Sequence, residues 1–160
     1  VLIEAGAAQC IDTGSGEPNE DETEAYDLGT IADGASCWTL EGVLDGTSDE
    51  DWYTLYADDT FTGVLDEKLS VTGVVRTCMY FDCGSDPTNV TCVVGTDATG
   101  AGGLTGCCGE PTTSGELTVD ADVDCDRGTF NLDDSHDVWI QVTQSSSSSS
   151  CEPYSLEHCP

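Results

Sequence analysis

Ten cysteines stand in 160 residues beside only two histidines, and no other feature restricts the fold as much. An even count at this density belongs to an oxidising compartment and to a domain stapled by disulfides. No Cys-x-x-Cys pair occurs. The near neighbours are Cys78/Cys83 and the adjacent Cys107-Cys108, a spacing that disfavours a zinc knuckle. All ten (Cys10, Cys37, Cys78, Cys83, Cys92, Cys107, Cys108, Cys125, Cys151 and Cys159) are therefore expected in five disulfides. Their connectivities number on the order of a thousand, and spacing does not choose among them. Cys78, Cys83 and Cys92 are near enough in sequence for local bridges. A bond within Cys107-Cys108 would be strained, so each is expected to reach elsewhere.

The length suits one domain with a single core. No run of about 18 apolar residues occurs, so no membrane insertion is expected. The chain opens on Val1 rather than Met, as a secreted product does after signal-peptide removal. A processed lipoprotein would open on Cys, so no lipid anchor is expected. Thirty-two acids face only Lys68, Arg76 and Arg127, a net charge of −29. That balance excludes nucleic acid and anionic membrane as electrostatic partners. It leaves two readings: specific cation binding at particular clusters, or the general acidity of an extracellular or salt-adapted surface.

Residues 1–16, "VLIEAGAAQCIDTGSG", join an apolar start (Val1, Leu2, Ile3) to a Gly/Ser linker. Such an arm is either frayed or adds a strand to the open sheet edge of a neighbouring subunit. Residues 17–31 form an acidic approach to a domain spanning 17–160. Beyond it the period is two. "CWTLEGVL" (37–44), "DWYTLYA" (51–57), "KLSVTGVV" (68–75), "RTCMYFDC" (76–83), "VTCVVGT" (90–96), "HDVWIQVTQ" (136–144) and "EPYSLEH" (152–158) read as strands. In 51–57, Trp52, Thr54 and Tyr56 share one face, and Tyr53 and Leu55 the other. "ELTVDADVDCD" (116–126) turns Leu117, Val119, Ala121, Val123 and Cys125 inward. Residues 97–115 read as a long Gly-rich loop held by Cys107 and Cys108. No segment sustains a helical period. The expected fold is all-β: a disulfide-rich antiparallel β-sandwich, jelly-roll-like.

Two patches and the chain end resemble the bacterial pre-peptidase C-terminal (PPC) domain family, to which the collagen-binding modules of clostridial collagenases are related. The opening is Glu17, Asn19, Asp21, Ala25, Leu28 and Gly29. The middle is Gly42, Leu44, Asp49, Asp51, Trp52, Tyr53 and Leu55. The end is "VWIQV" (138–142) followed by "YSL" (154–156). In calcium-binding members, the segment before the first strand and the loop before the Asp-Trp-Tyr strand supply oxygen ligands. The resemblance therefore implies a structural Ca2+ held by Glu17, Asn19, Asp21, Asp49 and Asp51. Calcium takes six to eight hard oxygens, which carboxylates and an amide from two segments can largely supply. It would also explain why three acids, Asp49-Glu50-Asp51, stand immediately before Trp52. The opposing reading is that they are solvated turn acids.

Asp122, Asp124 and Asp126 fall at positions 1, 3 and 5 of an EF-hand pattern, but Arg127 replaces the Gly and Asp133 the Glu. With Asp120 they read better as an acidic strand face, a possible secondary cation site between molecules. Ser135, His136 and Asp137 are adjacent, which does not build a triad without a special turn, and no nucleophile elbow, HExxH or phosphate loop occurs. Trp38, Trp52 and Trp139 could form a sugar platform, yet their places in alternating strands favour packing. The expected function is non-catalytic. One form is a secreted subunit that polymerises as an extracellular filament or surface layer, joined by its arm and stabilised by calcium and disulfides. The other is an accessory binding module for extracellular polysaccharide or collagen-like protein.

Overall fold

The computed structural model describes residues 16–32, 34–46, 48–59, 66–125, 133–146 and 151–159. Val1, Leu2, Ile3, Cys10, Asp126 and Arg127 lie outside them. The described residues form eleven strands and a single 3-10 turn at Ala101–Gly103. The strands are β1 (Tyr26–Ala32), β2 (Trp38–Leu44), β3 (Glu50–Asp58), β4 (Asp66–Thr72), β5 (Val75–Asp82) and β6 (Thr88–Val94). They continue with β7 (Thr96–Thr99), β8 (Thr105–Gly109), β9 (Glu116–Cys125), β10 (His136–Gln144) and β11 (Glu152–Cys159).

Two sheets face each other, in the orders β1-β3-β10-β5-β8-β7 and β2-β11-β4-β9-β6. This is the disulfide-rich β-sandwich that the period of two predicts. Tyr53, Leu55 and Ala57 of β3 meet Val138, Ile140 and Val142 of β10 in the interior, and Leu69, Leu156, Val119 and Val123 cover them from the second sheet. Each Val, Leu or Ile side chain so buried contributes roughly 1.5–3 kcal/mol relative to exposure. Strand β9 alternates as expected, with Leu117, Val119, Ala121, Val123 and Cys125 buried.

Three expectations are corrected. Residues 97–115 are not one loop, since β7 and β8 extend the first sheet from Thr96 to Gly109. Glycine is what permits this. A Cβ at Gly106 would overlap the Met79 carbonyl oxygen and lie 2.8 Å from Tyr80 Cα, so a glycine that reads as loop is required by strand contact. Second, the acidic approach contains β1, which runs parallel to β3 in an otherwise antiparallel sandwich. Third, Cys78, Cys83 and Cys92 do not bridge one another. Among pairs of described residues the disulfides are Cys37–Cys159, Cys78–Cys108, Cys83–Cys125 and Cys92–Cys107, and Cys151 is disulfide-bonded as well. As expected, the adjacent Cys107 and Cys108 part company, because successive side chains on a strand point to opposite faces. Cys107 crosses to β6 of the other sheet, while Cys108 joins its register partner Cys78 on the outer face. These bonds place the folded chain in an oxidising environment.

Candidate functional site

The three consecutive acids have three separate partners. The Asp49 carboxylate accepts the Asp45 amide, closing the turn before β3. Glu50 accepts the Trp52 indole N–H at 3.2 Å and the Gln141 amide at 2.9 Å on the outer face. Asp51, fully buried, accepts the Tyr154 hydroxyl, which lies 2.6 Å from the Tyr53 hydroxyl. Burial pushes both phenols well above the usual tyrosine range. The Asp51 charge raises each further.

The N-terminal segment docks on this point. The Trp52 amide donates to the Asn19 carbonyl at 2.9 Å, and Asn19 Nδ2 donates to the Trp52 carbonyl at 3.2 Å. Asn19 is completely buried, its side chain lies beside the Tyr53 hydroxyl, and its Oδ1 makes no hydrogen bond. The charges of Glu17 and Asp51 both act on Tyr53. Asn19 and Asp51 thus meet at one buried phenol pair, with the charge of half-buried Glu17 acting on it. Asp21 is not among them. It is exposed and accepts the Thr23 hydroxyl at 2.6 Å, the Thr23 amide at 2.8 Å and the Glu24 amide at 3.2 Å, which hold its carboxyl below the usual range. Asp49 is tied to its own turn.

The donor chemistry at Glu17, Asn19 and Asp51 fits a hard cation: all oxygen, partly anionic, with a buried amide oxygen unsatisfied. The carboxylates have not closed into a cage, since no three of the predicted acids bring oxygens within 4.8 Å of one another. The one such group among the described residues is Cys37, Glu157 and Cys159, whose two sulfurs are bonded to each other.

No family model matches this chain, and no curated protein does.

A second constellation escaped the sequence reading. Glu67 of β4, His136 of β10 and His158 of β11 meet in the interior, each at most 1% exposed. His158 Nε2 hydrogen-bonds Glu67 Oε2, and His136 Nε2 lies 3.4 Å from Glu67 Oε1. His136 Nδ1 is 2.6 Å from the Asp134 carbonyl, so that nitrogen carries a hydrogen. Burial alone would push the Glu67 carboxyl up. The hydrogen bonds and charges of His136 and His158 outweigh it and hold Glu67 at about 2. The signal was parity: Glu67 falls in step with inward Leu69 and Val71, His136 with Val138, and His158 with Leu156.

His136 is thereby engaged away from Ser135 and Asp137. Ser135 Oγ accepts the Asp59 amide at 2.9 Å and donates to Asp133 at 2.6 Å, so the adjacent Ser-His-Asp does not form a catalytic relay. The face of β9 carries Asp122 and Asp124 exposed and Asp120 half-buried, with Asp120 in register with Lys68. Trp38 is half-buried and stacks on His158 at 5.6 Å. Trp52 is buried in a small cluster outside the first sheet, stacked on Tyr80 at 6.0 Å with Trp139 beside it.

Proposed function

We propose that this chain is a secreted, non-catalytic structural subunit of the PPC type, which self-assembles into an extracellular filament or surface layer. Calcium held by Glu17, Asn19 and Asp51, together with the disulfides, stabilises the sandwich, and the N-terminal arm joins one molecule to the next. The observation that carries this reading is the pairing of Asn19 with Trp52. It ties Asn19, three residues beyond the 1–16 segment, to β3 of the disulfide-linked sandwich. A cation at the same point would tie the arm's root to β3 and offset part of the net charge of −29. The engagement of His136 by Glu67 supports a non-catalytic role.

The binding-module reading needs exposed ring faces for a sugar: Trp52 and Tyr80 stack on each other and are buried, which leaves Tyr26 and Tyr56 as the exposed rings among the described residues. The test is electron microscopy of the purified chain in millimolar calcium and again in chelator. Ordered filaments or sheets in calcium are expected, with loss of order on chelation. Dispersed single particles in both conditions would overturn the proposal.

A further inference from the structure

Among the described residues, four strands form the sheet edges: β1 and β7 in one sheet, β2 and β6 in the other. An open edge offers unpaired backbone donors and acceptors, and native edges are commonly guarded by charge. Here β1 carries Asp27, β2 carries Glu41 and β7 carries Asp97. Strand β6, "TNVTCVV", carries no charge in a chain with 32 acids. It also bears the two most exposed large apolar residues described, Val93 at 56% and Val94 at 44%. Beside it lies a groove of about 510 Å³, lined in part by Val94, Gly95, Cys108 and Leu117.

We infer that β6 is the acceptor edge for the apolar arm, residues 1–8 "VLIEAGAA", of a second copy of this chain. The inference rests on the proposed assembly and names its joint. The arm matches the edge, with a single charge at Glu4 and Val1, Ile3, Ala5 and Ala7 on one face of an extended segment. The arm's root is on the opposite flank. Gly16 sits against the Tyr26 ring at the start of β1, whereas β6 packs over β8, to which Cys92–Cys107 bonds it.

From β1 to β8 the first sheet spans four strand spacings, about 19 Å, and crossing to the second sheet adds about 10 Å. Residues 9–15, the seven between the apolar stretch and Gly16, extend over about 24 Å at most. The straight line from the arm's root to β6 passes through the packed core. A molecule's own arm would therefore have to follow both legs over the surface, about 29 Å, and falls short of its own β6. An arm entering from a neighbour has no such path to cover. A donor on one flank and an acceptor on the other make a heterologous, head-to-tail contact, which propagates as an open filament.

The experiment compares the full chain with its V93K/V94K variant, both in millimolar calcium. Both positions are exposed, so the variant is expected to melt like the parent yet form no filaments, and free peptide "VLIEAGAAQ" is expected to shorten parental filaments. Filaments from a folded variant would overturn the β6 assignment and leave the proposed function standing. Absence of filaments from the parent would overturn both. Should the variant not fold, hydrogen exchange on parental filaments decides. Amides of Thr88–Val94 that slow on assembly support the assignment. Unchanged β6 amides, or slowing already present in dispersed monomers, overturn it.

Discussion

Glu67 Oε1 and His136 Nε2 face each other at 3.4 Å from opposite sheets, with both side chains fully buried. His158 closes on the other carboxylate oxygen from a strand adjacent to β4. The only two histidines of the chain thus meet one acid inside the sandwich, and an ionic contact joins the sheets where apolar packing would be ordinary.

Removing one partner of a buried ionic contact strands the other charge, at a cost of roughly 3–5 kcal/mol. Glu67→Gln is expected to lower stability by that amount. At this size each kcal/mol moves Tm by about 2–4 °C, so a thermal melt at neutral pH reads the effect directly. Replacing Glu67, His136 and His158 together by apolar residues of similar volume is expected to cost far less, since no charge is left unpartnered.

Acid should unfold the chain partly through the same carboxyl. Its folded-state value, about 2, lies below its ordinary 4.5, so the folded state binds fewer protons across that window. The stabilisation is complete above about pH 4.5 and is lost as pH falls through about 2, a change on the order of 3 kcal/mol. Denaturant midpoints measured from pH 5 to pH 2 are expected to fall steeply for the parent and less steeply for Glu67→Gln.

Gly106→Ala is expected to destabilise by more than about 2 kcal/mol, because the new Cβ meets the backbone of Met79 and Tyr80 rather than a yielding side chain. Gly46→Ala, which has open space around it, is expected to stay within about 0.5 kcal/mol of the parent. Urea midpoints of the two variants separate these outcomes, and faster amide exchange in β8 is expected for the first alone.

Calcium at saturating concentration is expected to raise Tm, by about 2.7 kcal/mol of stability at a hundred times its dissociation constant. Asp51→Asn should abolish most of that shift. Asp21→Asn should retain it, because Asp21 faces its own turn at Thr23 and Glu24. Melts of the three chains with and without chelator check both statements, and an equal loss in both variants would contradict the grouping of Glu17, Asn19 and Asp51.

Alternation along each strand was enough to establish an all-β sandwich, the inward face of β9 from Leu117 to Cys125, and the division of β3 between Tyr53 and Trp52. A period of two states which face a side chain takes, and burial of apolar residues enforces it. It is silent on which strand lies alongside. The cysteine pairings among the described residues, the parallel seat of β1 and the recruitment of β7 and β8 into a sheet all depend on neighbours distant in sequence. The same holds for the three acids at 49–51, identical in charge yet directed to a turn, an outer face and the buried Tyr154. Glu67, His136 and His158 were on inward-facing parity from the start. Pairing of β11 with β4 and the stacking of the two sheets brought these three into contact, because hydrogen bonds and ion pairs need atoms within a few ångströms and tertiary arrangement sets those distances.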